Sequence, residues 1–211
     1  MQLYNILLGV DQTYYDTWAV PLLKSIQRHN PLLSLHCHIV NPTKENNLDN
    51  VSITSEYLDF ISDESKISYL QSVRFLAVAN KFKNNELVFT LDADTICTRK
   101  IRNTALQSLF KKQHVLKHHK DDRWLAGFVT FNDNGFRHEY TSELQSVPIG
   151  EWKWGRDQTV LNSFANEFKF EELNTDWIAI GKNRNQSAFL TLKGEQKYTD
   201  KYLNGYKKHL E

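Results

Sequence analysis

The 211-residue sequence is short of cysteine, of net charge and of any long hydrophobic run. Its two cysteines, Cys37 and Cys97, lie in or beside apolar stretches. They make no CxxC, zinc-type spacing or disulfide framework, and read as reduced core thiols. No stretch approaches the ~18 apolar residues needed to cross a membrane. The opening "MQLYNILLGVDQ" lacks a basic region, and its apolar run is too short for a signal peptide. A soluble cytoplasmic protein is therefore the expectation. A formal net charge of +1 gives no general drive towards nucleic acid or anionic lipid. With four prolines and eight glycines, nothing reads as a repeat, a low-complexity tract or a linker. One α/β domain spanning 1–211 is expected.

What is present is a rhythm of apolar strands and helices. "YNILLGV" reads as a buried strand closed by Gly9. "DTWAVPLLKSIQRHN" places Trp18, Leu22 and Ile26 at helical spacing and stops at Asn30-Pro31. "LSLHCHIVN" and "VSITS" follow as strands, "KISYLQSVRFLAVANKF" as a helix and "ELVFTLD" as a strand. The alternation predicts a mostly parallel sheet flanked by helices. Further on, "HVLKHH", "GFVTFN" and "EELNTDWIAIG" read as strands, "NGFRHEYTSEL" and "RDQTVLNSFANEF" as helices, and 193–210 as a helical or coiled tail.

The strand ending at Leu91 runs into Asp92 and Asp94, one residue apart. Ligands of parallel α/β sheets bind beyond the carboxyl ends of strands. Two carboxylates pointing the same way there can ligate one hard cation, Mg²⁺ or Mn²⁺. The plainer alternative is an Asp turn capping a helix at Asp94-Thr95. Other residues carry two readings as well. Arg74 falls on the apolar stripe of its helix and wants either a carboxylate or ligand oxygens as partner. Asp157, before an apolar helix, is a functional acid or a cap. Trp152 and Trp154 stack on a sugar or pack in the core. His36 and His38 share a strand face. "HHKDD", 118–122, is a metal site or a solvated loop. From Gly181 to Glu211, seven Lys/Arg face three acids, so this segment carries +4 and the rest of the chain −3. That segment is a solvated face or a cover over an anion.

Taken together, "VFTLDADTI" resembles the DxD segment of GT-A fold glycosyltransferases, nearest to the glycogenin-like and lipopolysaccharide galactosyltransferase-like families. The resemblance runs from about residue 3 to 186. It implies a single Rossmann-like GT-A domain, with a nucleotide-binding half of about 1–96 and a sugar and acceptor half of about 97–211. The implied activity is metal-dependent transfer of a hexose from a nucleotide-diphosphate sugar, a UDP-sugar, to an acceptor such as a glycan, with retention of anomeric configuration. Asp92 and Asp94 would hold Mn²⁺ or Mg²⁺. "NILLGVDQTYY" would cradle the nucleotide through Gly9, Val10, Asp11, Tyr14 and Tyr15. Arg74 and Ala93 would contact the donor, and Gly127 in "LAGFVTFND" would leave room for its sugar. "WGRDQTVLN" resembles a helix start whose Asp157 or Gln158 lies near the transferring sugar. "IAIGKNRNQ" resembles a loop closing over the diphosphate, with Lys182 and Arg184 neutralising charge. The related families place a third metal ligand, histidine, just before this glycine. Ile180 stands there, which leaves the ligand count open. Two rivals fit the same residues. One is a haloacid dehalogenase-type phosphatase using Asp92 as nucleophile and Asp94 as acid/base, although its motif normally opens the domain. The other is a degenerate GT-A domain that binds nucleotide-sugar without transfer.

Overall fold

The computed structural model describes residues 4–83, 86–118, 121–132, 134–174, 176–180, 187–191 and 198–199. In chain order the elements are β1 (Tyr4–Asp11), α1 (Gln12–Tyr14), a π-helical turn (Tyr15–Ala19), α2 (Val20–His29), β2 (Ser34–Val40), β3 (Val51–Glu56), α3 (Asp63–Lys81), β4 (Leu87–Leu91) and β5 (Thr95–Cys97). There follow α4 (Asn103–Leu109), β6 (His114–His118), β7 (Arg123–Phe131), α5 (Asn134–Gln145), a 3₁₀ turn (Ile149–Glu151), α6 (Arg156–Ser163), β8 (Glu171–Glu172), β9 (Ile178–Ile180) and β10 (Phe189–Thr191).

Seven strands form the main sheet in the order β3-β2-β1-β4-β7-β6-β8. The pairs β1–β2, β2–β3, β1–β4 and β6–β8 are parallel, and β7 is antiparallel to both β4 and β6. This is the expected α/β, mostly parallel sheet flanked by helices. A small second sheet, β5-β10-β9, lies beside it. The strand order reverses between β1 and β4: β2 and β3 lie on one side of β1, and β4 lies on the other. In such sheets the carboxyl ends at the reversal frame a crevice.

Side chains of β1 alternate across the sheet, as strand geometry requires. Ile6, Leu8 and Val10 join one hydrophobic cluster with Leu22 and Ile26 of α2. Leu7 joins the opposite cluster with Val73 and Val78 of α3. Gly9 faces α3 as well. A Cβ there would sit 2.6 Å from the Arg74 amide nitrogen and 2.9 Å from its Cα. Helix and strand thus cross backbone to backbone, a contact only glycine allows. α3 starts on a Ser62 cap that accepts from the Ser65 amide, with Asp63 and Glu64 in its first turn, an arrangement favourable to the helix dipole.

Several expectations change. The first helical segment begins at Gln12, because the Asp11 side chain accepts from the Tyr14 amide and caps it. "EELNTDWIAIG" is two strands, β8 in the main sheet and β9 in the small one. α6 ends at Ser163, five residues short of the expected Phe168. β7 starts at Arg123, earlier than expected. β5, β10 and α4 were not anticipated. The expected tail 193–210 falls outside the described residues apart from 198–199. Among the described residues, no helix is long and apolar enough to cross a membrane.

Candidate active site

The chain leaves β4 at Leu91, turns at Ala93-Asp94 and enters β5 at Thr95. No helix follows, which removes the helix-cap reading of Asp94. Leu91, Ala93 and Thr95 are buried, whereas Asp92 and Asp94 are partly exposed. The turn therefore sinks its small and apolar residues and presents both carboxylates on the outer side. The Asp92 amide donates to the Gly127 carbonyl of β7 at 3.0 Å, which fixes the end of β4.

Both carboxylates line a cavity of 690 Å³ at the strand-order reversal, a size typical of small-molecule sites. Gly9, Val10, Asp11 and Tyr14 line it from the end of β1, Arg74 from α3 and Ala93 from the turn. The structure thus brings together eight of the residues singled out in the sequence. α3 contributes five more that the sequence reading missed: Asp63, Lys66, Ile67, Leu70 and Gln71. Their spacing from Arg74 follows the helical period on one face, a signal that stepping back along the helix from Arg74 would have found.

Arg74 is 6% exposed. One guanidinium nitrogen lies 3.1 Å from Asp92 Oδ1 and 3.7 Å from Asp157 Oδ2, and donates to the Ala126 carbonyl at 2.9 Å. Its Nε is buried with no hydrogen-bond partner among the described residues. Of the two partners weighed for Arg74, the protein itself supplies the carboxylate. Asp157 does not cap its helix; Gly155 occupies the cap position in a left-handed conformation, φ 78°. Asp157 sits in the first turn, where Oδ1 accepts from the Gln158 amide at 2.7 Å. Tyr140 donates its hydroxyl to the Asp157 carbonyl at 3.0 Å. Burial, and then the charge of Asp157, push this phenol well above its ordinary pKa of 10.0, so it stays a donor.

Other expected residues lie elsewhere. Tyr15 is 3% exposed and packs in the core, so of the two tyrosines only Tyr14, 38% exposed, offers a face to the cavity. Gln158 donates to the Trp124 carbonyl and accepts from the Ala126 amide, which ties α6 to β7. Gly127 is buried within β7 and does not line the cavity. Lys182 and Arg184 lie outside the described residues, as does the side chain of Ile180. His36 bonds Ser34 and Asn5, while His38 bonds Thr54 and pairs with Glu56, so the two histidines serve different partners. In the "HHKDD" segment His118 and Arg123 both pair with Asp121, and Lys117 pairs with Asp122. Among the described residues, no group of three or more His, Cys, Asp or Glu is placed to hold a metal.

The donor set at the Asp92–Asp94 turn fits a divalent cation that takes few protein ligands. Among the described residues, the carboxylates Asp11, Asp63, Asp92 and Asp94 line the cavity together with the cations Lys66 and Arg74. Carboxylate oxygens suit Mg²⁺ and Mn²⁺.

No family model and no curated protein matches the chain. Solved structures do match. The galactosyltransferase LgtC, in complex with donor and acceptor sugar analogues, is similar over 98% of this chain and 95% of its own, with TM-score 0.65 and 12% identity. The bifunctional glycosyltransferase WbbM matches 99% of this chain, which spans 49% of WbbM, with TM-score 0.66 and 15% identity. The glycosyltransferase GlyE of Streptococcus pneumoniae TIGR4 matches 100% of this chain, which spans 60% of GlyE, with TM-score 0.66 and 12% identity. The chain shares the fold of these glycosyltransferases, the GT-A architecture.

Proposed function

We propose that this protein is a metal-dependent glycosyltransferase that moves a hexose from a nucleotide-diphosphate sugar, a UDP-sugar, to a glycan acceptor. The reading treats 1–211 as one catalytic domain, with its nucleotide-binding half at about 1–96 and its sugar half beyond. The observation that carries it is the single cavity, at the β1/β4 crevice, into which Asp92, Asp94, Gly9 to Asp11, Tyr14 and Arg74 converge. The fold shared with LgtC, itself solved with donor and acceptor sugar analogues, supports the same reading. Two buried free thiols suit a cytoplasmic setting.

Asp92 and Asp94 would hold Mn²⁺ or Mg²⁺, which supplies charge neutralisation to the leaving diphosphate. The chain's own residues do the rest. Asp11 is placed to accept from ribose or base, and Tyr14 offers a stacking face. Arg74 spans Asp92 and Asp157, so it couples the end holding the diphosphate to the end holding the sugar. Its buried Nε, without a partner among the described residues, is a further donor beside the cavity. Gln158 positions Asp157 by locking α6 on β7. Lys182 and Arg184 would add positive charge against the diphosphate. Retention fits because Asp157 is engaged by Arg74 and the Gln158 amide rather than stationed as a base.

UDP with Mn²⁺ should raise the melting temperature more than either alone, since ligand at ~100 times its dissociation constant adds about 2.7 kcal/mol. Asp94→Asn removes a charge while keeping the shape of the turn. It should abolish most of the Mn²⁺-dependent part of this shift and lower turnover of UDP-glucose or UDP-galactose by orders of magnitude, with partial recovery at high Mn²⁺. Identical melting curves with and without UDP and Mn²⁺ would sink the donor assignment. Release of phosphate from p-nitrophenyl phosphate, with no response to UDP, would establish the phosphatase instead. UDP binding with no turnover under any metal would leave a binding domain.

A further inference from the structure

Trp152 and Trp154 stand two residues apart and receive opposite treatment. Trp152 is 2% exposed, donates its indole N–H to the Val147 carbonyl at 2.8 Å and lies under the Arg156 guanidinium. Trp154 is 71% exposed. Leaving so large an apolar ring in water forgoes roughly 2–3 kcal/mol of burial. A mobile loop would make that exposure uninformative, but this loop is held on both sides of the ring. The Lys153 carbonyl accepts from Ser68 Oγ at 2.7 Å, and the Gly155 amide donates to Gln71 Oε1 at 3.3 Å. Lys153 also reaches Glu64 at 3.2 Å. All three anchors belong to α3, and Gln71 lines the active-site cavity.

Gly155 adopts φ 78° to turn the chain into α6, and among the described residues a Cβ there would meet nothing within 4 Å beyond its chain neighbours. Three residues further on is Asp157, at most about 10 Å along the chain. Trp154 is thus an exposed indole on an anchored loop, and the next residue, Gly155, is held by Gln71 of the cavity wall.

We propose that Trp154 is the platform on which the acceptor stacks, and that the acceptor is a neutral pyranoside presenting an apolar C–H face. The proposal rests on the transfer reading above, because an acceptor must approach the donor from the rim. The electron-rich ring face attracts the slightly positive C–H groups of a pyranose, and nothing on Trp154 selects a charged group. Gln71, Lys66 and Asp63 of the cavity wall supply the mixture of donors and acceptors that sugar hydroxyls require. Fixing the loop to α3 beforehand reduces the ordering cost of binding.

The test uses ¹⁵N-labelled protein, whose Trp154 indole signal is assigned by its loss in Trp154→Phe. Methyl β-D-galactopyranoside, methyl β-D-glucopyranoside and lactose are titrated without donor. At least one should shift that signal, and the same sugar should accelerate UDP release from UDP-galactose or UDP-glucose with Mn²⁺. Trp154→Ala should raise the half-saturating sugar concentration roughly five- to tenfold, with Trp154→Phe recovering most of it. The UDP and Mn²⁺ thermal shift should survive in Trp154→Ala, since the indole lies outside the donor cavity. An unmoved Trp154 signal with all three sugars overturns the proposal. So does an unchanged half-saturation in Trp154→Ala, or a signal that responds only to protein concentration, which marks a contact between copies. If UDP with Mn²⁺ does not bind wild type, the transfer reading fails separately and the indole titration still decides this one.

Discussion

Arg74 joins two carboxylates that belong to different elements, Asp92 after β4 and Asp157 in α6. Removing its guanidinium takes away a cation that lies 3.1 Å from Asp92 and 3.7 Å from Asp157, the latter 6% exposed. Arg74→Ala should therefore destabilise the ligand-free protein by roughly 3–5 kcal/mol. For a chain of this size that lowers the melting temperature by roughly 6–20 °C. Thermal denaturation without ligand checks it, and an unchanged melting temperature would return Arg74 to a purely ligand-facing role. The sequence already placed Arg74 on an apolar stripe, where a charge demands a partner. It did not name the partner, because Asp157 lies 83 positions away and its approach depends on how α6 docks on β7.

At the scale of elements, β1 and α3 cross too closely at Gly9 for any side chain. A methyl group there would meet the Arg74 backbone at 2.6 Å, and backbone cannot rotate aside. Gly9→Ala should push α3 outwards, costing about 1–3 kcal/mol and displacing Arg74 from Asp92. Urea denaturation and UDP titration would report the two effects together, and a variant of wild-type stability and affinity would show that the helix tolerates the shift. Elements with a long period were legible before the fold was known. From β1 to β4 the strands and the helices α2 and α3 could be read, since each is long enough to show its period of 2 or 3.6, whereas the three-residue α1 could not. The small sheet was invisible because β5, β9 and β10 have three residues each, too few for any period. The cavity wall on α3 was missed for another reason: only its charged member drew notice, and Ile67, Leu70 and Gln71 look ordinary until the cavity is seen.

For the whole molecule, pH should act through a half-buried imidazole that does not line the cavity. His36 lies between Asn5 and Ser34, edge-on to Phe82, and burial followed by the charge of Lys81 pushes it down from 6.5 to about 4. The unfolded chain then binds a proton at His36 at higher pH than the folded one. Its contribution to stability is present above pH 6.5 and is lost as pH falls towards 4, on the order of 1–2 kcal/mol after allowing for partial exposure. Urea midpoints at pH 7.5, 6 and 4.5 should fall in wild type and fall less in His36→Gln; parallel profiles would assign the loss to carboxylates such as Glu56. The small sheet has a consequence for how the protein is made. β5, which holds the far side of the Asp92–Asp94 turn, pairs Ile96 with Leu190 and Thr95 with Thr191 of β10. A ribosome must therefore translate past residue 191 before the turn acquires its second support. The strands and helices from α4 to β9 lie between the two partners, and the wide sequence separation makes that closure late, since distant pairings form slowly. A nascent chain can assemble β1 to β4 on its own schedule, yet the Asp92–Asp94 turn lacks this second support until residue 191 has emerged.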